Sequence, residues 1–300
     1  MARRLLPLLV LLVLASACTG SSDDTTTSTP TTAPTPLTSL APAPSETTTT
    51  VAPPTTAATV PPPTNDCVVE SRTSVEGYTQ GCDVAGFEIL AAEEVDEEAV
   101  SQLSDRIFNM LLARPDLRDA LVLAGVNARV IGMDQALPNL PEFEELYELY
   151  PGTDWHRAAR SFPGTDVIPL VAGAEENLLC LDDDRYAGED PFLRDFALAI
   201  RRFGMYAVDP AMNARIEQSY GAAIAQGLWV NTLAEINSDE YWAEGTQSYF
   251  DVNLEEPDDR PPNSSHNHVD TRDELREYDP RLYDIAHAVY GDTDWRPTCP

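Results

Sequence analysis

Lysine is absent: all 19 basic residues are arginine, and they face 50 acidic ones, for a formal net charge of -31. A surface so short of positive charge excludes most nucleic-acid binding, which needs clustered cations against phosphates. Histidine is nearly as scarce, with His156, His266, His268 and His287 the 4 in the chain. No serine lies in a G-x-S-x-G elbow and no glycine-rich phosphate loop occurs, so the nucleophile-elbow and P-loop signatures are missing. No C-x-x-C spacing is present either. Cys67, Cys82, Cys180 and Cys299 are an even set in a chain with an export signal, which favours two disulfides over a metal cage. Of the three possible pairings, Cys67 with Cys82 and Cys180 with Cys299 are expected. Long apolar runs are lacking as well. The run from Leu5 to Leu14 is half of the roughly twenty residues that a membrane-spanning helix requires.

What that run does fit is an export signal: Arg3 and Arg4, then the apolar stretch, then Ala15, Ser16 and Ala17. Leu14-Ala15-Ser16-Ala17-Cys18 resembles a bacterial lipobox, with Ala15 where Leu is usual. The resemblance implies cleavage after residue 17, acylation of Cys18 and anchoring at the outer face of a bacterial cell membrane, each buried methylene contributing about 0.8 kcal/mol. From Thr19 to Asp66 the chain is mostly Thr, Pro, Ser and Ala without an aromatic residue. It has too little apolar surface to offset its conformational entropy and is expected to be an extended stalk, on the order of 150 Å when drawn out. Residues 1–17 are thus read as signal peptide, 18–66 as lipidated Cys and stalk, and 67–300 as the globular domain. Only Asp23, Asp24, Glu46 and Asp66 of the acids precede Cys67, so the acidity belongs to that domain.

Within it, helical periodicity dominates. Asp96 to Ala113 carries Val100, Leu103, Ile107, Met110 and Leu111 on one face, and Arg114-Pro115 breaks it before a second helix ending at Gly125. Residues 128–133 and 167–171 are expected as short strands. Asp209-Pro210 opens a helix that stops near Gly227, Ser238 is expected to cap another through Phe250, Thr271 to Glu274 forms a capping box, and Asp279-Pro280 starts the last helix, which ends at Gly291. The fold class is therefore α+β, helix-rich with a small sheet. His266-Asn267-His268 could ligate a metal from a loop, but a polar loop before the capped helix at Thr271 is the simpler reading. Acidic pairs such as Glu175-Glu176 and Glu240 with Glu244 are weak signs of acid and base roles in so acidic a domain.

Four segments carry more: residues 174–179 (AEENLL), 185–190 (RYAGED), 240–250 (EYWAEGTQSYF) and 266–272 (HNHVDTR). In this order, over about Tyr78 to Arg296, they resemble a family of secreted zinc metallopeptidase-like proteins of the gluzincin type, similar to the catalytic domain of anthrax lethal factor. In active members, an H-E-x-x-H helix gives two ligands on one face, the motif Glu activates the bound water, and a Glu from a later helix completes the zinc ligands. Residue by residue, the first His position falls on Arg194, the general-base position on Asp195 and the second His on Leu198. The third-ligand position falls on Glu240 and the supporting acid on Glu244, both kept, while the oxyanion Tyr position falls on Leu233. Arginine stays protonated and leucine has no donor atom.

The resemblance thus implies a metallopeptidase-like fold with no catalytic residue and no metal or other cofactor, zinc being the ion of active relatives. The expected role is binding of a peptide or protein partner in the former substrate cleft of a membrane-anchored lipoprotein, with no nucleic-acid partner. An active hydrolase with a non-standard site and a structural envelope protein are the alternatives. A lone Glu240 carboxylate in that cleft needs a cation, and Arg194 is expected within about 4 Å of Glu240 or Glu244, with Leu198 packed in the volume of the second His.

Overall fold

The computed structural model describes residues 64–73, 75–256 and 261–298. The expected signal peptide, Cys18, nearly all of the stalk and Cys299 lie outside the described residues. Strands β1 (Glu70–Ser71), β2 (Gln80–Val84), β3 (Phe87–Ala91), β4 (Asn127–Ile131), β5 (Ser161–Phe162) and β6 (Leu170–Ala174) form one mixed sheet in the order β1-β2-β3-β4-β6-β5. β2 and β3 are a hairpin, β3, β4 and β6 run parallel, and β5 closes one edge antiparallel to β6. The helices are α1 (Glu97–Leu111), α2 (Pro115–Leu123), α3 (Leu146–Leu149), α4 (Trp155–Ala158), α5 (Glu175–Leu178), α6 (Pro191–Ala199), α7 (Tyr206–Val208), α8 (Pro210–Ala225), α9 (Ser238–Tyr249), α10 (Arg272–Tyr278) and α11 (Pro280–Tyr290). The fold is α+β and helix-rich.

Alternation along the strands sorts side chains between two cores. Ile89, Ala91, Ala128, Val130 and Val171 point into the main core with the helices, while Leu90, Ile131, Leu170 and Ala172 point into a smaller one under residues 136–155. Arg129 lies on the smaller face, over the Tyr78 ring at 4.9 Å and 3.0 Å from Glu142. Phe87, Phe192 and Phe196 interlock where the sheet meets α6, and burying each such ring contributes roughly 1.5–3 kcal/mol. β6 starts three residues later than the pattern suggests because Val167 and Ile168 lie in a turn, closed by the Ile168 N–H on Thr165 Oγ1 at 3.1 Å.

α9 is the pivot. It packs against α6, α8, α10 and α11, and every residue from Glu240 to Tyr249 is buried. The contact with α11 depends on Gly245, where a Cβ would sit 2.3 Å from Leu282 Cδ2. Its cap is Asn237, not Ser238: the Asn237 side chain accepts from the N–H groups of Asp239 and Glu240 at 2.9 Å each, leaving Ser238 as the first helical residue. The Thr271 capping box and the Asp209 and Asp279 caps stand as expected. Cys67 and Cys82 are bonded, tying the start of the domain to β2. Cys180 is also in a disulfide, and its expected partner Cys299 lies outside the described residues.

Candidate functional site

α6 carries Arg194, Asp195 and Leu198, where the degenerate motif is expected. Asp190 caps it by accepting from the Leu193 N–H at 2.9 Å and holds Arg106 of α1 at 2.6 Å, both side chains buried. Pro191 follows at the first helical position, where its missing N–H is not needed. Beyond Ala199 the helix continues as a π-type segment, Ile200–Met205, into α7. Such wide turns recur at functional sites. The indole N–H of Trp242 donates to the Ala197 carbonyl at 2.9 Å, which fixes α9 against α6 and sets Glu240 and Glu244, one turn apart, facing Arg194.

The Arg194 guanidinium bridges three carboxylates. It donates to Glu240, lies 2.9 Å from Asp195 Oδ1 and places Nε 3.8 Å from Glu244 Oε1. Arg194 and Glu240 are therefore within ion-pair distance, as the sequence led us to expect. The cluster is shielded: the side chains of Asp195, Glu240 and Glu244 are 7%, 12% and 1% exposed. Arg194 Nε and Glu244 Oε1 are both buried without a hydrogen bond, so this contact is Coulombic alone. Asp195 also accepts from the Ser161 hydroxyl at 2.6 Å, which brings the edge strand β5 to the site.

A histidine stands behind Glu244. His266 Nδ1 lies 3.2 Å from Glu244 Oε2 and Nε2 lies 3.5 Å from Glu189. Asn253 donates to the same Glu244 oxygen at 3.4 Å. The two histidines of the H-x-H segment diverge, the His268 ring standing edge-on to Tyr278, so they do not converge as a metal pair. Leu198 and Leu233 are half-buried and bring no polar atom. Leu233 instead donates its backbone N–H to the Ser265 carbonyl at 2.9 Å, holding the His266 loop. Glu175 and Glu176 are taken up by structure. Glu175 accepts from the backbone of Asp96 and Met133, and Glu176 forms a bidentate pair with buried Arg160.

The titration behaviour follows from burial. Desolvation pushes Asp195, Glu240 and Glu189 above the usual carboxylate range, with Arg194 partly offsetting it for all three. For Arg194, burial opposes the charge, but Asp195, Glu240 and Glu244 together outweigh it and hold the guanidinium protonated beyond its ordinary value. His266 is likewise lowered by burial and raised more strongly by Glu244 and Glu189, for a net upward shift. Four acidic side chains thus surround Arg194 and His266.

These residues do not fit a zinc ion. Arg194 and Leu198, at the positions expected for two ligands, offer a guanidinium and an alkyl group, and among the described residues no three His, Cys, Asp or Glu side chains converge to hold a metal. The sequence reading missed Glu189, Ser161 and Arg201. Glu189 sits inside the quoted 185–190 segment but had no assigned role, and Ser161 had no local signal at all.

No protein-family model matches the sequence and no curated protein matches it. Among solved structures, the Pro-Pro endopeptidase from Paenibacillus alvei aligns with a TM-score of 0.42 and 15% identity, over 66% of this chain and 95% of that chain. That overlap is too loose to transfer any residue's role.

Proposed function

We propose that residues 67–300 are a catalytically inactive metallopeptidase-like domain that binds an extended peptide or protein segment along the edge strand β5, beside α6. One observation supports this above the others. The position expected for a metal ligand holds Arg194, whose guanidinium engages Glu240, the retained ligand position, together with Asp195 and Glu244. A cation fixed on a side chain can neutralise the old carboxylates but cannot polarise a water or a scissile carbonyl as a Lewis acid does. β5 is the last strand of the sheet and Ser161 on it touches the cluster, so a peptide pairing with that edge would lie across Arg194.

A lipid-anchored position at the outer membrane face, with Cys18 as the acylated residue and 18–66 as the stalk, belongs to the same proposal. Replacing Cys18 by Ser should release the protein from the membrane fraction, and unchanged membrane association would contradict the anchor. Incubating the protein with an extended-peptide library and analysing the products by mass spectrometry tests the binding role. Peptides should be retained intact, with retention weakened when Gly replaces Ser161. Cleavage that disappears in Glu240→Gln would instead establish a hydrolase.

A further inference from the structure

A groove between α8 and α11 brings two arginines together. It encloses about 300 Å³ and is lined by Arg215, Gln218, Ser219 and Ala222 of α8 and by Arg281 and Asp284 of α11. Some arginines, even exposed ones such as Arg118 and Arg276, hold a carboxylate within 4 Å, whereas Arg185 and Arg272 are held by backbone carbonyls. Arg215 and Arg281 form no ion pair among the described residues. Arg215 has only the Met212 sulfur at 3.8 Å, a weak acceptor. The one acid of α8, Glu217, is already taken by Arg201 and Ser238. In a chain where acids outnumber arginines 50 to 19, two guanidiniums without an ion pair thus line one groove.

We infer that this groove is a binding site for a phosphate ester bearing a hydroxylated group. The two guanidiniums approach from different helices, which suits the tetrahedrally arranged oxygens of a phosphate, whereas one arginine alone serves a planar carboxylate. Gln218 and Ser219 add neutral donors on the Arg215 face. The groove volume exceeds what a bare phosphate fills. Asp284, beside Arg281, disfavours a naked anion and accepts hydrogen bonds from the hydroxyls of the attached group. Such an ester can be soluble or can be the headgroup of a glycerophospholipid, and the phosphate chemistry is common to both.

Calorimetric titration of the full-length Cys18→Ser chain with glycerol 1-phosphate, and co-sedimentation with phosphatidylglycerol vesicles, tests the inference and separates the two sources. Glycerol 1-phosphate should bind in either case, and vesicle binding in addition would assign the headgroup. Arg215→Gln with Arg281→Gln should weaken binding about tenfold, with no change in fold because both side chains are exposed. Asp284→Asn should tighten inorganic phosphate about threefold while narrowing the preference for the ester. Absence of glycerol 1-phosphate binding, or affinity unchanged in the double variant, would overturn the site.

Discussion

Two arginines two turns apart on the α6–α7 helix both reach the start of α9, and they do so in opposite surroundings. Arg201 is fully buried and satisfied: it donates to Asn213, Ser238, Asp239 and Glu217, and those two carboxylates are 55% and 51% exposed. Arg194 is 21% exposed, yet its three carboxylates are buried and its Nε has no hydrogen bond. Around Arg201 the cation is inside and the anions are in water, so the desolvation cost falls on one group only. Around Arg194 the anions are inside, in excess, and one contact is incomplete. The first arrangement is a clamp joining the π-type segment, α8 and α9. The second leaves three shielded carboxylates sharing one guanidinium.

Removing each arginine should expose the difference. Arg194→Ala strands Asp195, Glu240 and Glu244 and should cost about 3 kcal/mol or more, measured by urea unfolding. Adding Glu240→Gln should recover at least about 1 kcal/mol of that loss, since the pair is coupled. A loss equal to the sum of the single changes would show that the two groups do not interact. Arg201→Ala leaves carboxylates that can resolvate and should cost about 2 kcal/mol. Here Glu217→Gln should give no recovery, because nothing buried is left unpaired.

The smallest effect is in pH dependence. Glu189, Asp195 and Glu240 are raised in the folded state, so the native cluster binds more protons than the unfolded chain and loses stability as pH rises above about 4.5. His266 is also raised. Its contribution is fully present below about pH 6.5 and is lost as pH climbs through the folded value. The thermal midpoint should therefore fall from pH 6 to pH 8, and His266→Gln should flatten that decline. An equal slope in the variant would mean that His266 does not share charge with Glu244 and Glu189.

Much of this architecture was legible because local chemistry agreed with the tertiary structure. The caps at Asp209, Thr271 and Asp279 and the apolar face of α1 needed no long-range information. Asn237 displaced Ser238 as a cap because Asn accepts two N–H bonds there at once. The α+β class and the Cys67–Cys82 bond followed from periodicity and spacing. The Arg194–Glu240 pair was legible only because the residues of α6 could be placed against a known metal-site pattern. Ser161 and Glu189 were not legible, since β5 is two residues long and Glu189 lies in a loop positioned by Asn177 and the α6 cap. Arg201 was hidden by its setting in a π-type turn, which leaves no periodic trace in sequence.

Zinc titration of the purified protein tests the central claim most directly, namely that Arg194 stands where a metal would and neutralises Glu240 in its stead. After equilibration with excess Zn²⁺ and removal of free ion, elemental analysis should find well below one equivalent per chain, unchanged in Glu240→Gln. One tightly held equivalent that is lost in Glu240→Gln would contradict it.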